Sequence, residues 1–308
     1  KAAPTFENTV VAFEDTGRPF GRAQNFFGIY TSTMNDKPMQ KIEEEMSPVF
    51  AAFFDEIIQN EALFARLKAV YDAREGAGLT TEQQRLTDVY YRRFARRGAA
   101  LAADKKKRLQ EINQRLATLF TKFSQNQLGD EEQYTLVVDN EADLAGLSES
   151  IRASAAQAAK DRGQAGKWVF TNTRSSMQPF LMFADNRALR EKGFKMWNNR
   201  GNNGGERDNK KVASEILQLR AERARMLGFP SHAHWIVDDN MAKTPDAAMD
   251  LMMKVWPAAV ARAKEEVADM QAIADQEGAK IKIEPWDYRY YAEKVRKAKY
   301  DIDENEVK

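Results

Sequence analysis

Two histidines, His232 and His234, form the only candidate metal-binding pair in this sequence. On a helix, positions i and i+2 point about 200° apart, so the two imidazoles could not reach one ion. On a strand they could. Ser231 before the pair and the apolar residues from Trp235 onward are typical of a helix start. We therefore interpret both histidines as packing or surface residues.

The residue types offer no hydrolytic centre. A zincin centre needs two histidines one helical turn apart, a glutamate between them and a third ligand, and the spacing His-Glu-x-x-His does not occur. The sequence has no cysteine, which excludes disulfides, thiolate nucleophiles and cysteine-bound metals. No plausible Ser-His-Asp spacing supports a serine nucleophile. We predict no catalytic residue and no metal ligand in this chain, and the sequence does not identify substrate-binding residues.

Two acidic clusters and one glycine-rich loop are further candidates. The glutamates at 43–45 and the aspartates at 238–239 could act as acids and bases only in a cleft that shifts their pKa values. A solvated helix face is the simpler interpretation of both clusters. The loop at 201–205 lacks the spacing of phosphate-binding motifs, and no strand directly precedes it. We expect neither catalysis nor phosphate binding from these segments.

Basic residues cluster between positions 92 and 108 and could form a nucleic-acid-binding stripe. Asp104 lies among these basic residues and Glu111 follows them. Such a mixture of charges is more typical of a solvated helix face than of a nucleic-acid-binding stripe. The net charge of +1, from 47 basic and 46 acidic residues, gives no overall attraction to nucleic acid or to an anionic membrane. We predict neither partner.

The aromatic run Trp286-Asp-Tyr-Arg-Tyr-Tyr291 has two interpretations. It could dock a partner domain or line a peptide channel, since Tyr and Trp combine a large apolar area with a polar tip. Ordinary core packing by Trp286, Tyr290 and Tyr291 is the alternative. The sequence alone favours neither interpretation.

The composition is that of a globular, helix-rich protein. With 308 residues, 43% of them hydrophobic and 30% charged, the chain can bury a core in one large or two medium domains. No apolar run approaches the roughly 18–20 residues of a membrane-spanning helix. The absence of cysteine fits the bacterial cytoplasm and periplasm equally well. The first residue is Lys rather than Met, so we expect a start lost to processing, truncation or proteolysis.

Apolar spacing predicts helices along most of the chain. The clearest pattern is Leu109, Ile112, Leu116, Leu119 and Phe123, whose alternating steps of three and four suit an antiparallel partner helix. Other predicted apolar helix positions are Phe6, Val10 and Phe13; Ile42, Val49 and Phe53; and Leu251, Val255 and Met270.

Helix starts are predicted from capping residues. Thr5, Ser148, Asp185 and the pair Thr244-Pro245 occupy positions typical of N-caps and first helical residues, and Thr81-x-x-Gln84 has the pattern of a capping box.

The helical pattern lapses at two β-rich runs, 134–138 and 168–171. An Ala-rich helix at roughly 149–161 lies between them, which indicates a small β element on a helical body. The predicted fold class is therefore all-α, mainly long antiparallel helices, with a small β element. The predicted regions are 1–133, 134–184 and 185–308, of which the middle one contains the β element.

Five segments in order carry the strongest signal in the chain. They are Pro4-Thr-Phe-Glu-Asn-Thr9, Asp185-Asn-Arg-Ala-Leu-Arg190, the stretch 215–228, Met241-Ala-Lys-Thr-Pro245, and Pro285-Trp-Asp-Tyr-Arg-Tyr-Tyr-Ala-Glu293. Together they resemble the thimet-oligopeptidase family of zinc peptidases, and above all its bacterial peptidyl-dipeptidase branch. The order and number of the segments make this resemblance specific.

The resemblance implies one lobe of a two-lobed, all-helical zincin-type peptidase with a deep channel. The family's His-Glu-x-x-His helix lies downstream of the segment that 286–291 resembles. This chain would then be an N-terminal portion that forms a substrate-channel wall, binds no zinc itself and is inactive alone. The parent protein would use zinc and a C-terminal catalytic half to release dipeptides from the C-termini of short peptides. The alternative is a stand-alone α-helical binding or scaffold protein.

Overall fold

A computed structural model describes residues 2–300 and divides the chain into two compact units. Unit 1 comprises Lys1–Gln125 and Lys211–Pro245, and unit 2 comprises Asn126–Lys210 and Asp246–Lys308. Helices dominate both units, and the described residues contain one two-stranded sheet. The predicted fold class is confirmed. The region boundaries inferred from the sequence stay predictions.

The helices follow one another with short connections. In chain order they are α1 (Ala12–Thr16), α2 (Arg18–Thr33), α3 (Lys37–Ile58), α4 (Glu61–Ala73), α5 (Thr81–Ala95), α6 (Ala103–Gln133), α7 (Glu149–Asp161), α8 (Arg174–Phe183), α9 (Arg187–Asn198), α10 (Lys210–Met226), α11 (His232–Val237), α12 (Pro245–Gln276) and α13 (Tyr288–Tyr300). The strands are β1 (Thr135–Val138) and β2 (Trp168–Thr171). A π-helical turn at Phe6–Val11 precedes α1.

Side-chain caps set many of the helix starts. Thr5 caps the first turn of the chain and Ser148 caps α7, as predicted, each accepting a hydrogen bond from a backbone N–H three residues on. The prediction for α9 is wrong by one residue. Asn186, not Asp185, accepts the N–H of Leu189, because the carboxylate of Asp185 is engaged elsewhere.

The capping box of α5 is also displaced by one position from the prediction. Thr80 and Gln83, rather than Thr81 and Gln84, exchange the two hydrogen bonds. The cap residue must be extended, and Thr80 is extended, with a ψ of 162°. Thr81 instead begins the helix itself.

The heptad-like face of α6 packs in unit 1 as predicted. Leu109, Ile112, Leu116 and Leu119 are buried, and the last three share a cluster with Val212 and Ile216 of α10. Two ion pairs give the direction of the partner helix. Arg108 pairs with Glu222 at 2.7 Å, and Arg115 pairs with Glu215 at 2.6 Å. The α6 position rises as the α10 position falls, so the two helices are antiparallel.

Two other predicted apolar faces lie on helices that form as expected, but their side chains are exposed. On α3, Ile42, Val49 and Phe53 are exposed, whereas Asp55 and Ile58 are buried. On α12, Leu251 and Val255 are exposed by 66% and 61%. Met270 and Ala274, in the later part of α12, are buried against Tyr290 and Tyr291 of α13. These faces have helical spacing without burial among the described residues.

The β element of unit 2 forms as predicted. β1 and β2 pair antiparallel, with Leu136 opposite Phe170. Both of these side chains are buried in a cluster to which α7 and α8 also contribute. The sheet therefore serves as one wall of the unit 2 core.

None of the helices within residues 2–300 combines the length and the apolar character that crossing a bilayer requires.

Candidate functional site

A buried ion pair anchors the aromatic run of unit 2 at the start of α13. Asp287 is fully buried and accepts hydrogen bonds from Arg187, at 2.8–3.1 Å, and from Arg190, at 2.9 Å. Its Oδ2 also accepts the N–H of Glu284 at 3.1 Å. Burial would raise the pKa of Asp287, but these hydrogen bonds outweigh burial and hold the pKa below its ordinary value.

Two tyrosines of the run belong to the core. Tyr290 and Tyr291 are buried and pack on Met270 and Ala274 of α12. The Tyr290 hydroxyl donates to Asp185 at 2.8 Å. Burial raises the pKa of both tyrosines. Both side chains therefore pack as neutral groups that fix the register of α13.

Two further residues of the run lie beside an open cleft. The cleft has a volume of about 540 Å³, within the usual range for small-molecule sites. Tyr288 and Arg289 line it together with Glu284, and its other lining residues are Phe194, Val267, Ile283 and Pro285. Its walls are mainly apolar, with one carboxylate and one guanidinium available for polar contacts.

Trp286 connects the ion pair to this cleft. Its ring lies 6.4 Å from the ring of Phe194, edge to face, and Arg187 and Lys195 lie over it at 5.7 and 5.3 Å. Cations above an indole face contribute about 0.5–1 kcal/mol each at exposed sites. Tyr290 and Tyr291 thus pack in the core, as one interpretation of the run predicted, whereas Tyr288 and Arg289 line the cleft. The interpretation that the run docks a partner domain or lines a peptide channel stays a prediction.

The histidine pair lies on α11, whose N-cap is Ser231 as predicted. Ser231 Oγ and His234 Nδ1 are 2.8 Å apart, and the His232 ring packs beside Trp235. Burial, followed by the charges of nearby arginines, lowers the pKa of His232. Within residues 2–300 no group of three or more His, Cys, Asp or Glu side chains is placed to hold a metal ion.

The acidic and basic candidates of unit 1 largely pair with opposite charges. Arg96 contacts Asp238 and Asp239 at 2.9 and 3.2 Å, so this acidic cluster neutralises an arginine. Arg92 pairs with Asp88 at 2.7 Å. Arg108 pairs with acids on its own helix and on α10. The two charges are thus mixed, as the sequence indicated, but the face is not solvated throughout, because Lys106 is buried and pairs with Glu61.

The glycine-rich loop of unit 2 closes around a carboxylate of its own unit. Gly201 N–H and Asn203 Nδ2 both donate to Asp130 Oδ2, at 2.8 and 2.9 Å. Asp130 is buried. An acceptor with negative charge therefore already occupies the position that a phosphate would need.

Sequence reasoning missed the roles of Arg187 and Arg190. Both belong to a segment that carries the family resemblance, but their partner Asp287 lies about a hundred positions away. The one local signal is their spacing, because residues three apart on a helix share a face and can converge on a single carboxylate.

Comparisons with known proteins point to one family. The model of Peptidase family M3 matches residues 180–308, which include the ion pair and the cleft. The chain is 37% identical over 305 residues to Dipeptidyl carboxypeptidase of Escherichia coli (strain K12), covering 99% of this chain and 45% of that protein. It is 30% identical over 308 residues to Oligopeptidase A of Salmonella typhimurium, with the same coverage. The chain spans about half the length of the curated relatives it matches.

Proposed function

We propose that this chain, whose residues 180–308 match the model of Peptidase family M3, is an N-terminal portion of a zinc metallopeptidase that releases dipeptides from the C-termini of short peptides. The observation that carries the proposal is the 37% identity to a dipeptidyl carboxypeptidase, because it extends over 99% of this chain. The family match agrees with the resemblance found in the five sequence segments.

Residues 2–300 of this chain do not fit a zinc site. The two histidines are separated by one residue on α11, and the described residues contain no metal-holding cluster. In the proposal, the zinc and the reacting groups therefore lie in the remainder of the parent protein. The part that falls to this chain is to bind and orient the peptide, and the chain is inactive alone.

The cleft beside the aromatic run is the proposed part of the substrate-channel wall. Its apolar lining suits peptide side chains, and Arg289 and Glu284 can bind peptide carbonyl and amide groups. The buried ion pair of Asp287 holds Trp286 and Tyr288 in place without taking part in any reaction. Residues supported by a rigid element position a ligand more accurately than residues on a free loop.

Exposed apolar helix faces support the proposal that more of the parent covers this chain. On α12 of unit 2, Leu251, Val255 and Trp256 are each exposed by more than 60%. In unit 1, Phe26 of α2 is exposed by 64%, and Met34, directly after this helix, by 63%. Contiguous apolar patches of this kind mark interaction surfaces in soluble proteins. In the proposal, the remaining half of the polypeptide packs on them.

Product analysis of the complete parent protein tests the proposal. A blocked tetrapeptide should lose its C-terminal dipeptide, and a chelator should stop the release. In the same protein, Arg289→Ala should raise KM several-fold, because it removes a cleft contact, whereas Arg85→Ala on the surface of unit 1 should leave KM unchanged. Absence of dipeptide release with every metal tried would refute the proposal. Equal KM values for the two variants would refute the role of the cleft.

A further inference from the structure

Unit 1 contains a second cavity, of about 280 Å³, that the proposed peptidase function does not use. Residues of α3, α6, α10 and α11 surround it. Its apolar lining consists of Ala51, Phe54, Ile58, Leu109, Leu116, Ala117, Phe120, Leu227 and Trp235. Four polar residues complete the wall, namely Asp55, Arg97, Asn113 and Arg223.

The polar residues form a chain with an unmatched atom at each end. Asn113 donates to Asp55 Oδ1 at 2.8 Å and accepts from Arg223 Nη1 at 3.1 Å. Asp55 is only 7% exposed, yet its Oδ2 has no hydrogen-bond partner among the described residues. Arg223 Nε is likewise buried without a hydrogen-bond partner in the described part of the chain. A buried polar atom without a partner costs about 1–3 kcal/mol, so such a cavity favours a ligand that supplies the missing contacts.

The cavity wall carries two guanidinium groups, Arg97 and Arg223, and one carboxyl group, Asp55. Desolvation lowers the pKa of both Arg223 and Arg97, although Arg97 is exposed at the cavity rim, and neighbouring arginines lower it further. Among the described residues, the carboxylate that opposes these shifts is Asp55. Burial also raises the pKa of Asp55 to about 6, so its negative charge is lost as the pH falls through that value. The other charged groups near these residues are Arg93, Arg96, Arg220 and His232.

We propose that this cavity binds a small carboxylate with an apolar or aromatic body. The carboxylate accepts from Arg223 Nε and from Arg97 at the rim, and the body packs among Phe54, Phe120 and Trp235. Protonated Asp55 donates its Oδ2 hydrogen to the second oxygen of the ligand. Both unmatched atoms thereby gain partners, and the ligand offsets the excess positive charge. The site belongs to unit 1 alone and does not depend on the proposed peptidase function.

Isothermal titration calorimetry with 3-phenylpropionate tests the proposal, and 3-phenylpropionamide serves as the uncharged ligand of the same shape. If only the protonated form of Asp55 accepts the carboxylate, binding should tighten roughly 20-fold between pH 7.5 and 5.5. The amide should bind at least about tenfold more weakly at pH 5.5, because it carries no charge to offset the guanidiniums.

Three variants locate the binding energy. Arg223→Gln should weaken carboxylate binding at least about tenfold. Arg97→Gln should also weaken it, and this variant provides a second test because Arg97 lies at the exposed rim, where a substitution disturbs the fold less. Asp55→Asn should bind at pH 7.5 as tightly as the unchanged chain does at pH 5.5 and should lose the pH dependence. Arg225→Gln is the matched control on α10, since this arginine is exposed and does not line the cavity. It should bind like the unchanged chain.

The proposal is overturned if the carboxylate does not bind at millimolar concentration, if the amide binds equally well at pH 5.5, or if Arg225→Gln weakens binding as much as Arg223→Gln. A further titration distinguishes two possible sources of the carboxylate, a peptide C-terminus and a free small acid. Tighter binding of acetyl-Ala-Ala-Phe with a free carboxyl group than of 3-phenylpropionate would identify a peptide C-terminus as the ligand. No binding of the peptide alongside retained binding of 3-phenylpropionate would identify a free small acid.

Discussion

Asp287 of unit 2 and Asp55 of unit 1 are both buried carboxylates, but their surroundings shift their pKa values in opposite directions. Asp287 accepts from two arginines and one backbone N–H, and its pKa lies below the ordinary value. Asp55 accepts from a neutral amide, has one oxygen without a partner among the described residues, and has a pKa of about 6. Burial raises the pKa at both sites. Hydrogen bonds to the charged carboxylate reverse this effect at Asp287 but not at Asp55, so the charged form of Asp287 stabilises the fold.

Asp287 thus has a structural role, whereas Asp55 belongs to the proposed binding site. A carboxylate whose two oxygens both accept hydrogen bonds, as at Asp287, fixes the position of its neighbours and has no oxygen left without a partner. An incompletely matched group, as at Asp55, costs stability and retains the capacity to bind. The aromatic run next to Asp287 is thus positioned by a rigid element, whereas the cavity at Asp55 can respond to pH and to a ligand.

Asp287→Asn should give the largest effect. The substitution leaves Arg190 buried with its charge uncompensated, and loss of one partner of such a pair costs about 3–5 kcal/mol. Urea denaturation at pH 7.5 measures the free energy of unfolding. Asp72→Asn removes an exposed ion pair and should cost less than about 1 kcal/mol. Similar losses for the two variants would contradict the anchoring role of Asp287.

Asp55→Asn should act in the opposite direction at pH 7.5. The amide can still accept from Asn113, and the variant no longer has a buried charge that is poorly matched. We expect a gain of about 1–3 kcal/mol in the free energy of unfolding. A loss of stability at pH 7.5 would show that the carboxylate is better matched than its contacts indicate.

The pH dependence of the two effects should also be opposite. The folded-state pKa of Asp55 lies above the unfolded value of 3.8, so its protonation stabilises the fold as pH falls through about 6 toward 4. The gain from Asp55→Asn should therefore shrink between pH 7.5 and 5. The folded-state pKa of Asp287 is depressed, so its contribution is present above pH 3.8 and is lost as pH falls below that value. Denaturation series at several pH values test both signs.

Tyr290→Phe should give the smallest of these effects. It removes the hydrogen bond to Asp185 while keeping the packed ring, which should cost about 1 kcal/mol. Tyr288→Phe is the matched control in the same run, because Tyr288 is exposed and its hydroxyl contacts Glu266 at the surface. It should change the free energy of unfolding by less than about 0.5 kcal/mol. Equal losses would contradict the division of the run into core and surface residues.

Local patterns predicted much of the fold. The apolar spacing of Leu109, Ile112, Leu116 and Leu119 predicted a buried helix face that suits an antiparallel partner, since helical periodicity is a local property, but it did not identify α10 as that partner. Ser148 and the β-rich runs identified α7 and the sheet for the same reason. Caps were misplaced by one position where neighbouring residues were both competent, as with Asn186 and Asp185.

The two buried aspartates could not be predicted from local patterns. Asp287 depends on arginines about a hundred positions earlier in the chain, and Asp55 depends on Asn113 and Arg223 from two other helices. Periodicity even favoured the opposite side of α3, where Val49 and Phe53 are exposed. Such sites arise from packing between distant segments, which one sequence does not reveal.

A blocked tetrapeptide incubated separately with this 308-residue chain and with the complete parent, with the products identified by mass spectrometry, shows where the reacting groups lie. The parent should release a C-terminal dipeptide, a chelator should suppress this release, and this chain alone should give no product. Dipeptide release by the isolated chain would show that the reacting groups lie within it and would refute the proposed function.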